Sequence, residues 1–280
     1  MTAGEKGLVV EGLCKRYGDH TAVDGVSFVL PPGGSLAIVG ESGSGKTTTV
    51  RMLVGLERAD GGTVRLDGHD RSARPRGREE RLARARDVQM VFQDPYLSLD
   101  PRITVRGCLD EVLRLHTALD AAGRAARVAD LLDRVGLGAR EAGALPRGLS
   151  GGQRQRVAIA RALTVEPRVL VLDEAVAALD VSIQAQILDL LREIRREAGI
   201  GYLFVTHDLA VVRHVADDVL VLRSGTVVES GPVDRVLGSP EHPYTRLLLS
   251  SVPRRGWDPA EVTGRGRPAG GDRARATSRR

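Results

Sequence analysis

Apolar and polar residues alternate near the start of the chain, in Leu8–Leu13, Val26–Leu30 and Thr63–Leu66. A period of two predicts half-buried strands, here of an antiparallel region. Continuous apolar runs then take over, each followed by a helical stretch. Ser35–Val39 precedes a helix from about Lys46 to Leu53, ended near Gly55. Val169–Leu172 precedes one near Ser182–Ala198, and Tyr202–Val205 precedes one near Leu209–Val215. Strands alternating with helices predict an α/β chain with a parallel sheet covered on both faces. Between the first two of these strands, residues from about 95 to 163 read as a long, mostly helical insert. The run VLVLRSGTVVESG reads as a hairpin turning at Ser224 and Gly225. No repeat or internal linker is visible. The arginine-rich stretch Arg71–Arg86 also holds Glu79 and Glu80, and reads as a solvated loop and helix face.

Composition narrows this picture. The 280 residues are 42% apolar but only 3% aromatic, so the core must be built from Val, Leu, Ile and Ala. No apolar run approaches the ~20 residues needed to span a bilayer, and MTAGEKGLVVEGL lacks the layout of a secretory signal. The expectation is a protein that serves a membrane from outside the lipid, if it serves one at all. Cys14 and Cys108 form no CxxC pair, which predicts reduced structural thiols and neither an iron–sulfur nor a zinc centre.

The charge of +5 sits entirely at the end of the chain. Residues 253–280 carry eight arginines against Asp258, Glu261 and Asp272, while residues 1–252 are balanced. The expected organisation is therefore one domain over residues 5–253 and a basic, disordered tail over 254–280. That tail reads as a solvated extension or a contact for anionic lipid. A neutral body offers no nucleic-acid surface.

The strongest chemical signal is GESGSGKT, Gly40 to Thr47, lying after a strand and opening a helix. It fits the phosphate-binding loop G-x-x-x-x-G-K-[ST]. Glycines let backbone N–H groups curl around a β-phosphate, and the helix N-terminus adds partial positive charge. The predicted ATP-binding run is Gly40, Glu41, Ser42, Gly43, Ser44, Gly45, Lys46, Thr47 and Thr48. Lys46 would reach the β- and γ-phosphates, and the Thr47 hydroxyl would ligate Mg²⁺. The chain has only three lysines, Lys6, Lys15 and Lys46, so a composition that uses arginine elsewhere keeps a compact ammonium here. The second element is VLVLDEA, in which an apolar strand ends in two carboxylates. Asp173 is placed to hold the Mg²⁺ shell, and Glu174 to polarise the attacking water.

The class follows from LSGGQRQR, Leu149 to Arg156, just before that strand. With this motif in place, the chain resembles an ABC ATPase over about Leu8 to Pro253, which implies a RecA-like P-loop core with an inserted helical signature subdomain. The resemblance implies that Ser150, Gly151, Gly152 and Gln153 grip the γ-phosphate of ATP bound to the opposite subunit. Small residues at a helix start suit such an approach. It further implies that Tyr17 stacks on adenine and that Gln93 contacts Mg²⁺ and links the site to the helical insert. His207 would contact the γ-phosphate, and Asp180 would lie at the dimer interface. Catalysis would thus rest on Glu174, His207, Lys46 and Gln93, and metal binding on Thr47, Gln93 and Asp173.

The segments QMVFQDPYLSLDPRITV, LDVSIQAQILDLL and HPYTRLLLSSVP are similar to the ATP-binding subunits of oligopeptide and dipeptide importers, whose relatives carry nickel or glutathione. HPYTRLLL, His242 to Leu249, serves as a family mark to which the sequence alone attaches no chemistry. Three positions depart from the family: Ala175 where Pro is usual, Ala177 where Ser is usual, and Asp100 where Asn is frequent. Loss of the hydroxyl at Ala177 would remove a hydrogen bond across the dimer, worth ~1 kcal/mol.

The expected protein is an ATPase powering an ABC importer, with ATP and Mg²⁺ as cofactors, on the cytoplasmic face of the cell membrane. Its expected partners are permease subunits, a second ATPase subunit (a copy or a paralogue) and, indirectly, a solute-binding protein, with no nucleic acid. A di- or oligopeptide is the expected cargo, with nickel, glutathione or another small solute as the alternative. A non-transport ABC ATPase in DNA repair or translation is the rival class. A different P-loop enzyme, such as a kinase, leaves LSGGQ and His207 unexplained.

Overall fold

The continuous apolar runs become the middle of a six-stranded sheet in the structure, a computed structural model that describes residues 6–95 and 99–251. Strands β3 (Ser35–Val39), β6 (Val88–Val91), β7 (Val169–Asp173), β8 (Gly201–Val205) and β9 (Asp218–Arg223) run parallel, and β10 (Thr226–Pro232) closes a hairpin on β9. The order across the sheet is β10-β9-β3-β8-β7-β6. Every residue of β3, β7 and β8 is buried, which is why these strands read as unbroken apolar runs. Successive side chains point to opposite faces, so Leu36 and Ile38 of β3 enter one core while Ala37 and Val39 enter another.

The first core lies under a second, antiparallel sheet. It comprises β1 (Leu8–Tyr17), β2 (His20–Leu30), β4 (Gly61–Leu66) and the two-residue β5 (His69–Asp70), in the order β2-β1-β4-β5. Its inward residues Leu8, Val10, Leu13, Val26 and Leu30 pack with Val50 and Leu53 of α1 (Lys46–Leu53). The antiparallel subdomain expected from alternation is thus present. Strand β6 was not foreseen, because its four residues VQMV include two that are only half-buried, too few to show a period.

Helix α2 (Gly77–Asp87) buries none of its residues, in line with a solvated face. The loop before it is not free, however. Arg71 packs its guanidinium against Asp87 at 2.7 Å, and Arg84 donates to the Arg71 and Ala73 carbonyls.

The insert is helical over its described part. It holds α3 (Val105–His116), α4 (Ala121–Arg134), α5 (Ala139–Gly143) and α6 (Gly151–Leu163). Thr104 caps α3 and Asp120 caps α4, their side-chain oxygens accepting from Gly107 N–H and Gly123 N–H. The second core fills the space between these helices and the other face of the parallel sheet. Helices α7 (Val181–Ala198) and α8 (Leu209–Val215) cover that same face. Beyond the hairpin stand α9 (Val233–Gly238) and α10 (Pro243–Ser250). The expectation for residues 254–280 lies outside the described residues. No helix among the described residues is long and apolar enough to cross a membrane.

Candidate nucleotide-binding site

The loop from Gly40 to Gly45 leaves β3 at its carboxyl end and enters α1, and backbone geometry explains its glycines. Gly40, Gly43 and Gly45 all have positive φ, at 153°, 79° and 102°, a region that side chains disfavour. A Cβ on Gly40 would lie 2.2 Å from the Leu222 carbonyl oxygen, and one on Gly45 would lie 2.4 Å from that of Ala22. The β9–β10 turn closes over the loop, with Gly225 N–H donating to the Ser44 carbonyl at 3.0 Å. Helix α1 starts at left-handed Gly45 with no side-chain cap, so its first N–H groups remain for a ligand.

Lys46 is buried, and its ammonium donates to the carbonyl oxygens of Gly40 and Glu41 at 2.7 and 2.8 Å. An ammonium has three protons, so one remains for an incoming anion. Burial holds this ammonium below the usual lysine range, partly offset by Glu174, Asp173 and Glu41. A second anionic partner would relieve that desolvation.

Glu174 occupies the left-handed region at φ 47°, unusual for a residue with a side chain. Its N–H donates to the Val205 carbonyl at 2.8 Å, which fixes the backbone as it leaves β7. Two residues distant in sequence take its carboxylate. Gln93 Nε2 donates to Oε2 at 2.9 Å, and His207 Nδ1 lies 3.1 Å from Oε1. Glu174, Gln93 and His207, expected to polarise the attacking water, contact Mg²⁺ and contact the γ-phosphate, are therefore one hydrogen-bonded cluster. Asp173, beside them, is buried, and burial together with the Glu174 charge pushes its carboxyl above the usual range.

An open cleft of about 700 Å³ is lined by the loop together with Glu174 and His207, while Gln93 and Asp173 are not among its lining residues. Ser42, Gly43, Gly45, Lys46, Thr47 and Thr48 line it from the loop, and Glu174, His207 and Tyr17 line it from other elements. Gly40, Glu41 and Ser44 do not line it; Gly40 and Ser44 are buried behind the loop and shape it instead. Tyr17 is 46% exposed, and the Lys15 ammonium stands 5.1 Å from its ring centre.

Ser150, Gly151, Gly152 and Gln153 are not among the residues lining this cleft. They open α6, where the Ser150 hydroxyl accepts from Gln153 N–H at 3.2 Å and Gln153 Oε1 accepts from Ser150 N–H at 2.9 Å. This reciprocal pair is a capping box. Gly152 has no room for a side chain, since a Cβ would meet Ile183 at 2.6 Å. Asp180 is exposed at the start of α7, and its side chain makes no capping bond there.

One contact was missed by sequence reasoning. Tyr244, in HPYTRLLL, is buried, and its hydroxyl accepts from Glu41 N–H at 3.0 Å. The two residues lie 203 positions apart, and no periodicity spans such a distance. The presence of a tyrosine after a helix-starting His-Pro pair was the only available signal.

Comparison with known proteins agrees with this geometry. A family model described as "ABC transporter" matches residues 23–177, and one described as "Oligopeptide/dipeptide transporter, C-terminal region" matches residues 228–270. The chain is 45% identical over 253 residues to a di/tripeptide transport ATP-binding protein, DppF, of Pseudomonas aeruginosa (strain UCBPP-PA14), covering 90% of this chain and 78% of that one. It is 50% identical over 232 residues to the glutathione import ATP-binding protein GsiA of Escherichia coli (strain K12). That match covers 83% of this chain but only 37% of GsiA, so the chain spans little more than a third of the length of that relative. Among solved structures, the dimeric ATP-binding cassette MJ0796 bound to ADP and Pi superposes with a TM-score of 0.72 at 29% identity, over 81% of this chain and 98% of that one. CbiO1 of Clostridium perfringens, part of the cbiONQ transporter complex, gives 0.74 at 30% identity, over 83% and 90%. With the phosphate loop, the carboxylate cluster and the capped signature helix all in place, the chain belongs to the ABC transporter family as one of its ATP-binding proteins.

Proposed function

We propose that the chain hydrolyses ATP to power uptake of a di- or oligopeptide, working with permease subunits at the cytoplasmic face of the membrane. The observation that carries the motor reading is the cluster at Glu174, whose carboxylate is held by Gln93 and His207 in the cleft that Lys46 also lines. Phosphoryl transfer needs positioning and charge neutralisation more than covalent help. A carboxylate oriented from two sides suits the placing of an attacking water. Lys46 would hold the β- and γ-phosphates, and Tyr17 would lie against the base.

The residues present fit Mg²⁺. The Thr47 hydroxyl, the Asp173 carboxylate and the Gln93 amide oxygen would supply an all-oxygen donor set. The Gln93 nitrogen is already engaged with Glu174, which turns the amide's other atom outward as an acceptor. Asp173 is a buried carboxyl beside a second acid, and a cation would relieve both penalties. When bound, the ion would neutralise charge building on the phosphates.

Cargo and partners rest on the relatives. DppF is a di/tripeptide transport protein, GsiA imports glutathione, and the matched C-terminal region is that of oligopeptide and dipeptide transporters. All three point to peptide-like solutes, with glutathione or nickel as the alternative. The test is uptake of labelled dipeptides, oligopeptides, glutathione and Ni²⁺ by cells lacking the gene, complemented with wild type or Glu174→Gln. Peptide uptake should vanish on deletion, return with wild type and stay lost with Glu174→Gln. Selective loss of Ni²⁺ uptake would replace the cargo, and restoration by Glu174→Gln would remove that residue from the chemistry.

A further inference from the structure

The Tyr244 contact reaches further than packing. Glu41 N–H, which donates to the Tyr244 hydroxyl at 3.0 Å, belongs to the same peptide group as the Gly40 carbonyl, which accepts from Lys46 Nζ at 2.7 Å. One peptide plane is therefore held at one end by the candidate catalytic lysine and at the other by α10. The plane needs an external hold. It follows Gly40, at φ 153°, and a glycine passes between such conformations at little steric cost. Nor could a side chain at position 40 supply the hold, because a Cβ there would meet both the Leu222 carbonyl and Ser44 Oγ, at 2.2 and 2.7 Å.

Tyr244 is itself fixed on all sides. His242 caps α10 by accepting Tyr244 N–H on Nδ1 at 3.1 Å, and Pro243 occupies the first turn, where no N–H is required. The Glu229 carboxylate of β10 accepts from Glu241 N–H and His242 N–H, at 2.9 and 3.1 Å. The Arg223 guanidinium at the end of β9 lies 5.0 Å from the ring centre. Each residue of His-Pro-Tyr thus has a task, and the last task ends at the phosphate loop.

We infer that Tyr244 is a positioning residue of the nucleotide site: its hydroxyl orients the Gly40–Glu41 peptide so that Gly40 O aims Lys46 at the β- and γ-phosphates. The inference rests on the ATP-hydrolysing reading above. It makes the segment around α10, inside the matched C-terminal region, a support that holds the phosphate loop from behind.

Tyr244→Phe removes the oxygen and keeps the ring, its packing and its cation contact. Its melting temperature should stay within about 4 °C of wild type, the size of shift that a single lost hydrogen bond allows. The Kd for a non-hydrolysable ATP analogue should rise about three- to tenfold, with a matching fall in kcat/KM. AMP carries no β- or γ-phosphate, so its affinity, read by competition, should not change. Amide exchange in a [¹⁵N]Glu-labelled chain supplies a readout independent of activity: Glu41 N–H should be protected in wild type and exposed in Tyr244→Phe. Equal losses for AMP and the ATP analogue would make Tyr244 merely structural. Unchanged analogue affinity after loss of Glu41 protection would overturn the inference, as would an unprotected Glu41 amide in wild type. If the variant does not fold, that wild-type amide decides. A wild-type chain that binds the analogue but hydrolyses no ATP strikes the ATPase reading instead, and the Tyr244 comparison remains readable.

Discussion

Helices α1 and α6 both begin at glycine-rich turns, and their N-termini are finished in opposite ways. At α1 the cap residue is left-handed Gly45, which contributes no side-chain bond, and the turn faces an open cleft beside Lys46. At α6 the cap is Ser150, and its bonds with Gln153 satisfy two backbone N–H groups within the chain; Gln153 Nε2 also reaches Glu141 at 3.4 Å. An uncapped N-terminus next to a desolvated ammonium is poised for an anion. A self-capped one needs no ligand to be stable. The Ser150 hydroxyl accepts from Gln153 but keeps its own proton, so it can still donate to a phosphate brought from outside. One chain therefore presents an uncapped helix start at its cleft and, outside that cleft, a self-capped one whose hydroxyl keeps a proton to donate. That arrangement is what a site shared between two subunits requires of each, and we propose that role for Ser150, Gly151, Gly152, Gln153 and the exposed Asp180.

The largest expected effect breaks the phosphate loop. Lys46→Ala should lower ATP hydrolysis by at least about 100-fold, because charge developing on the phosphates loses a fixed, partly desolvated counter-charge. A rate above half of wild type would remove Lys46 from the chemistry. The next effect separates the two helix starts. Ser150→Ala should cost about 1 kcal/mol of stability through the lost cap and lower hydrolysis by about 100-fold. ATP affinity of the isolated chain should be unchanged, because Ser150 does not line the cleft. A weaker ATP affinity in the isolated Ser150→Ala chain would place the signature in its own chain's site.

The same contrast explains what the sequence could disclose. The run from Ser35 through Leu53 was legible because strand, turn and helix are local, and the glycines stand where positive φ is required. Ser150 and Gln153 were named through the family motif, and the capping box that joins them emerged only in the structure. The grip on Glu174 was not legible. Its partners lie 81 and 33 positions away, and their identities came from resemblance, with no spacing to show that they meet. Tyr244 had neither aid, and the four-residue edge strand β6 was too short to register. The arginines of 71–86 read correctly as a solvated helix face, with one exception before the helix. Charge composition marks a solvated face, yet Arg71 tucks its guanidinium into an ion pair with Asp87. Of the departures, Asp100 has acquired a partner, since Arg102 takes its carboxylate and holds it down at about 2. Ala177 is exposed.

The smallest effect belongs to the tyrosine that lines the cleft. Tyr17 closes β1 with a half-exposed ring, and the Lys15 ammonium approaches it while pairing with Glu57 at 3.0 Å. Burial, and then the Glu57 carboxylate, push the Tyr17 hydroxyl above its ordinary range, so the ring stays neutral throughout the working pH. As a neutral, exposed ring lining the cleft, Tyr17 would serve as a stacking platform for a base, worth ~1 kcal/mol or more. Stacking holds substrate and transition state alike, and it should therefore appear in KM and leave kcat unmoved. Tyr17→Ala should raise the KM for ATP at least about fivefold, whereas Tyr17→Phe, which keeps the ring, should stay near wild type. Because every base presents a π-face, the loss should be similar for ATP and GTP. Lys46→Ala and Ser150→Ala must instead act on kcat, so the three variants separate base from phosphate and one subunit from the other. A Tyr17→Ala chain with unchanged KM but a lower melting temperature would return Tyr17 to a structural role, holding Lys15 and Glu57 in place.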